Sequence, residues 1–182
     1  MRKVIAAINM TIDGYCDHTA IIPDEEIHEH YTALLESGDV ILYGRKTYEL
    51  MQYWQTLAKE PSGHKAMDDF AVVMDRIPKI VFSRTLKDAG WHSAKLAGQD
   101  IKDEVLALKQ QEGKPILAGS PSLIVTLTNL GLIDEYQLCI HPVIAAGGLP
   151  LFKNVNQRLD LKLLKTKTFN SGAEIMYYEP GN

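Results

Sequence analysis

The chain has 182 residues, 46% of them hydrophobic and 23% charged, with a formal net charge of −4. That length can bury a sizeable core in one domain, and the slight acidic balance argues against a nucleic acid as partner. No apolar run approaches the roughly 18 residues of a membrane span, the apolar start at residues 4–8 is short for a secretory signal, and Cys16 and Cys139 lie too far apart to make a metal motif, so a cytoplasmic, reduced setting is expected.

Residues 3–9 read as a first buried strand, and Asp13-Gly14 marks a turn in the long connection that follows. Asp24 reads as the cap of a helix whose Ile27, Tyr31, Leu34 and Leu35 recur at helical spacing, with a stop at Gly38. A second strand at 40–43 leads through Gly44 into a helix over about 46–53. A polar loop at 59–64 precedes a helix over 65–75, which Pro78 ends. Strands follow at 79–83 and, more briefly, at 93–96. Asp100 caps a helix that ends at Gly113, and a strand at 116–118 runs through Gly119-Ser120-Pro121-Ser122 into a helix reaching about 130.

The last third has no helical pattern. Residues 135–143, 159–168 and 173–178 are strand-like runs with Gly147-Gly148 and Ser171-Gly172 as turns. The βα alternation before them implies a parallel sheet. The expected fold is therefore α/β, a mainly parallel sheet with helices on both faces and an antiparallel C-terminal hairpin, in one domain over 1–182.

Two junctions carry chemistry. In each, a strand ends in a glycine turn and a helix begins, at Gly44-Arg45-Lys46-Thr47 and at Gly119-Ser120-Pro121-Ser122. A helix start offers unpaired N–H groups and a positive dipole end to an anion, so two such junctions suggest a ligand with more than one phosphate. The plainer readings are that Arg45 and Lys46 are solvated cations, that Ser120 and Ser122 are caps, and that Asp13 is a turn residue. His28 and His30, two apart on a helix, do not face each other and share no metal. Cys139 reads as core, and Trp54 as core or as the wall of a substrate pocket.

The order of motifs resembles the dihydrofolate reductase fold, and more closely the reductase domain of riboflavin biosynthesis and its stand-alone relatives. The residues that carry this are Thr11-Ile12-Asp13-Gly14, ILYGRKTYE at 41–49, KIVFSR at 79–84, LAGSPSL at 117–123, and Leu132-Ile133-Asp134-Glu135-Tyr136 leading to Pro142-Val143 and Gly147-Gly148. The resemblance implies NADPH lying across the strand ends. Ala7 would offer backbone to the nicotinamide, Gly44, Arg45, Lys46 and Thr47 would hold phosphate, Ser83 and Arg84 would sit near the adenosine 2′-phosphate, and Gly119, Ser120, Pro121 and Ser122 would hold the pyrophosphate. It further implies a cis peptide at Ala118–Gly119 and a homodimer. The strand at 135–144 is a candidate for the dimer contact, although burial within the monomer's own sheet explains its apolar character equally well.

The implied activity is hydride transfer from NADPH to a small pterin- or pyrimidine-like heterocycle, the cofactor carrying the chemistry. The proton would come from Asp13, from an acid on the first helix (Asp24, Glu25, Glu26 and Glu29 are all available) or from water. One alternative within the class is a 5-amino-6-(5-phosphoribosylamino)uracil reductase, which needs a further phosphate clamp; no surplus basic cluster stands out. An alternative from another class is a nucleotide-binding module without catalysis.

Overall fold

Thirteen elements form in the computed structural model, which describes residues 1–181. In chain order they are β1 (Val4–Thr11), α1 (Glu25–Ser37), β2 (Val40–Gly44), α2 (Arg45–Lys59), α3 (Lys65–Arg76), β3 (Lys79–Phe82), β4 (Ala94–Leu96), α4 (Ile101–Gln110), β5 (Ile116–Ala118), α5 (Pro121–Asn129), β6 (Glu135–His141), β7 (Leu161–Thr168) and β8 (Glu174–Pro180). The eight strands make one sheet in the order β4-β3-β2-β5-β1-β6-β8-β7. The first six run parallel; β8 is antiparallel to β6 and β7 to β8.

The expected fold class holds, with two adjustments of detail. The strand at 135–141 is antiparallel only toward β8; toward β1 it is parallel, because α5 carries the chain back across the sheet before β6 begins. Lying between β1 and β8, β6 spends its edges and apolar side chains inside the monomer, so it is not free to form a dimer contact. The helix expected at 46–53 extends to Lys59, since nothing helix-breaking intervenes before Pro61.

Parallel strands are covered on both faces. On one face α4 and α5 pack Val105, Leu108, Ile124 and Leu127 against Val4, Leu42 and Ile116. On the other, α1 and α3 pack Leu34, Leu35, Phe70 and Met74 against Ile5, Ile41, Val81 and Leu117. Gly38 ends α1 by close approach rather than by an unusual torsion: a Cβ there would lie 2.8 Å from Leu117 Cγ.

The chain leaves β1 through α1 toward β2 on one side, and leaves β5 through α5 toward β6 on the other. The two connections run in opposite directions on opposite faces of the sheet at β1 and β5, and open α/β sheets bind ligands outside the strand C-termini at such a switch point. β5 stops at Ala118, paired with Ala6, whereas β1 continues to Thr11 with only β6 beside it. The edge of β1 beyond Ala7 therefore lines an open slot.

Candidate active site

The two strand–glycine–helix junctions meet at this slot. Gly44, the N-cap of α2, donates its N–H to the Oγ of Ser120, the N-cap of α5, at 2.9 Å. Neither helix has a side-chain cap, whereas Asp24 caps α1 and Asp100 caps α4. Pro121, first in α5, has no N–H to give, so the first-turn donors there are those of Ser122 and Leu123, while Ile124 bonds back to Ser120. Ser120 is fully buried and Ser122 exposed. A Cβ on Gly44 would come within 3.2 Å of Ser122 Oγ, and one on Gly119 would lie 3.4 Å from the Tyr43 ring and 3.8 Å from the Ala7 carbonyl. Glycine at both points keeps backbone accessible where the helices start. The Ala118–Gly119 peptide is trans, contrary to the cis bond expected; no cis peptide occurs among the described residues. Ala118 is held in register with both Ala6 and Leu42, and a non-proline cis bond would cost about 2.5–4 kcal/mol.

The cations lie around this seam. Arg45 is exposed and pairs loosely with Glu49, one helical turn on, at 3.7 Å. Lys46 and Arg84 are exposed and make no ion pair among the described residues. Ser83, at the end of β3, uses its Oγ to accept from the N–H groups of Thr85 and Leu86, which folds the turn that presents Arg84. β2 and β3 are neighbours with Gly44 opposite Phe82, so Arg45 and Arg84 start from adjacent strand ends.

Asp13 sits elsewhere, on the loop after β1. Its carboxylate accepts from Thr11 Oγ1 at 2.6 Å, from Ala145 N at 3.1 Å and from Ala146 N at 2.9 Å. The Thr11 hydroxyl, joined by the two backbone donors, holds its carboxyl below the usual aspartate value. Asp13 thus ties the β1 loop to the loop after β6. Ile12 donates to Val143, Cys16 to Leu149, and Tyr15 pairs with Pro150 along the same seam.

A polar cluster that the sequence reading did not single out lies on the α1-covered face. Asn9 Oδ1 accepts from His141 Nε2 at 2.9 Å and from the Tyr31 hydroxyl at 3.3 Å. Cys139 Sγ lies 3.6 Å from the same histidine nitrogen. Burial pulls the His141 imidazole down, opposed by the nearby Asp24, so it is neutral at pH 7. Burial raises the Cys139 thiol to about 12. Beside Ala7, Gln137 leaves its Oε1 buried without a partner. The signal was present: Asn9 and Thr11 on β1, and Gln137, Cys139 and His141 on β6, are polar or thiol groups at alternate positions of buried strands.

His28 packs edge-on against Trp54 and Phe70, while His30 packs against Phe169 and Tyr177 on another side of α1. Trp54, 4.6 Å from Phe70, serves the packing of α2 on α1 and α3. Two cavities, of about 100 and 480 Å³, lie away from the slot, the larger beside Arg2, Asp39 and Lys79 at the opposite ends of the strands.

The sequence model of the RibD C-terminal domain matches residues 2–175. The chain belongs to the RibD C-terminal domain family. It is 37% identical to the uncharacterized protein YyaP of Bacillus subtilis (strain 168), over 99% of this chain and 96% of that one. Among solved structures it is similar to a protein assigned to riboflavin biosynthesis in Shewanella sp. PV-4, with a TM-score of 0.75, 19% identity and 99% of each chain covered. It is also similar to a pyrimidine reductase-like protein of Corynebacterium diphtheriae, with a TM-score of 0.64 and 14% identity, over all of this chain and 92% of that one. Membership in the RibD C-terminal domain family supports a reductase-type activity, and at these identities the solved structures speak to the fold alone. No helix among the described residues is long and apolar enough to cross a membrane.

Proposed function

We propose that this member of the RibD C-terminal domain family is an NADPH-dependent reductase of an aminopyrimidine. The observation that carries the reading is the meeting of two helix starts without side-chain caps, at Gly44 and Ser120, beside the open edge of β1. Backbone N–H groups at residues 45–47 and at Ser122 and Leu123 would hold the pyrophosphate. Arg45 and Arg84 would hold the 2′-phosphate, and the Ala7 carbonyl, facing Gly119, would fix the nicotinamide carboxamide. NADPH, when bound, supplies the hydride.

The chain's own part is placement. The slot aligns the nicotinamide along β1, and the Asn9 side of the same strand receives the substrate. Asp13 works as a positioning residue, because its carboxylate is fully engaged in joining two loops and stays ionised. His141 is neutral and donates to Asn9. We assign the proton that accompanies the hydride to water reaching the loop edge.

The family favours the riboflavin-type substrate, 5-amino-6-(5-phosphoribosylamino)uracil, over a pterin. NADPH oxidation measured with that compound, its dephosphorylated form and a dihydropterin tests the reading. Turnover with an aminouracil is expected. Cofactor binding without turnover of any acceptor would instead favour a nucleotide-binding module, and failure to bind NADPH would end both readings. A homodimer remains our expectation. β7 offers its edge and an almost wholly exposed strand, Leu163 and Leu164 included.

A further inference from the structure

The cluster around Asn9 has a defined polarity. Asn9 Oδ1 carries no hydrogen, so the 2.9 Å contact with His141 is a hydrogen bond only when Nε2 bears the proton. The Tyr31 hydroxyl donates to the same oxygen. Two donors on one oxygen fix which way the amide faces. Its Nδ2 has no protein partner among the described residues and is not shut off from solvent. Asn9 lies two residues beyond Ala7 on the same face of β1, roughly 6.6 Å along the strand, a separation suited to a six-membered ring placed beside the nicotinamide.

We propose that Asn9 selects the substrate ring: its Nδ2–H, oriented by Tyr31 and His141, donates to a ring carbonyl, so the site takes a neutral uracil-type edge and disfavours a protonated diaminopyrimidine or pterin edge. This rests on the reading of the slot as an NADPH site. A ring that presents carbonyl acceptors satisfies the amide donor. A ring that presents amino and protonated ring nitrogens sets donor against donor, and a buried donor left unpaired weakens binding. Asp24 is the acidic group whose field reaches His141, but one of its oxygens already caps α1 through Ile27 N.

The test compares binding of 5,6-diaminouracil and 2,4-diaminopyrimidine by calorimetry, with and without saturating NADP⁺. The wild type is expected to favour the diaminouracil by roughly tenfold or more. Asn9→Asp, which turns the donor into an acceptor, should reverse the order. Tyr31→Phe, which keeps Asn9 but releases its amide, should reduce the preference severalfold. NADP⁺ affinity, unchanged in both variants, reports that they are folded. A wild type that favours the diaminopyrimidine or binds neither ring overturns the proposal. So does an Asn9→Asp variant that keeps the wild-type order, or a folded Tyr31→Phe that keeps the full preference if Asn9→Asp does not fold. Loss of NADP⁺ binding in the wild type would overturn the cofactor reading instead, while the ring preference measured without NADP⁺ still decides the role of Asn9.

Discussion

The backbone N–H of Gly44 donates to the side-chain oxygen of Ser120 at 2.9 Å, across 76 residues of sequence. One hydroxyl therefore sets the spacing between the starts of α2 and α5. Ser120→Ala would leave the Gly44 donor without its partner in a site where Ser120 is fully buried. The expected cost is about 1–3 kcal/mol of stability, read as a lower urea midpoint, together with weaker NADPH binding. Ser120→Thr, if its methyl is accommodated, should restore much of the stability.

Cofactor choice provides a second test. NADPH differs from NADH by one phosphate, and a hydrogen bond to a charged group contributes on the order of 1.5–3 kcal/mol. Arg45→Ala and Arg84→Ala should each weaken NADPH by roughly ten- to a hundredfold and leave NADH nearly unchanged, measured by fluorescence titration. Glu49→Gln, which releases Arg45 from its ion pair, should tighten NADPH slightly. Full retention of the preference in both arginine variants would place the 2′-phosphate elsewhere.

Asp13 separates positioning from proton transfer. As a positioning residue, Asp13→Asn should raise KM for the ring substrate roughly tenfold, in line with weakened charged hydrogen bonds, while kcat and NADPH affinity change little. A collapse of kcat with KM intact would show that the carboxyl acts in the chemical step. Since the folded-state pKa of Asp13 is depressed, its contribution to holding the two loops together is present above the ordinary aspartate pKa and is lost as the pH falls through the folded value. Limited proteolysis should therefore cut residues 143–149 more readily in acid.

His30 makes the fold sensitive to mild acid. Its Nε2 is buried without a partner, and burial, reinforced by Lys167 and Lys165, pushes its pKa down to about 4. The unfolded chain takes up this proton near pH 6.5 and the folded protein only near 4. Stability should fall as the pH drops from about 6.5 to 4, by on the order of 2–3 kcal/mol from this group. His30→Leu should reduce that fall in denaturant titrations at pH 7 and 4.5; an unchanged difference would clear His30 of the effect.

The sequence by itself determined the elements, save the far end of α2, and both strand–glycine–helix junctions. Local signals suffice for these: Asp24 and Asp100 mark helix starts through their own side chains, and glycine after an apolar run marks the turns at Gly44 and Gly119. The strand order, the slot and the contact between the junctions were decided by tertiary structure, because pairing between residues as distant as Gly44 and Ser120 leaves no local trace. The same holds for Asp13, whose turn was legible but whose partners at Ala145 and Ala146 come from a loop 132 residues away. Asn9 and His141 announced themselves only as polar residues in buried strands. That they share one hydrogen bond depends on the parallel register that sets Asn9 against Cys139 and Thr11 against His141. Register is a property of the assembled sheet, in which a shift by one residue would turn each of these side chains to the opposite face.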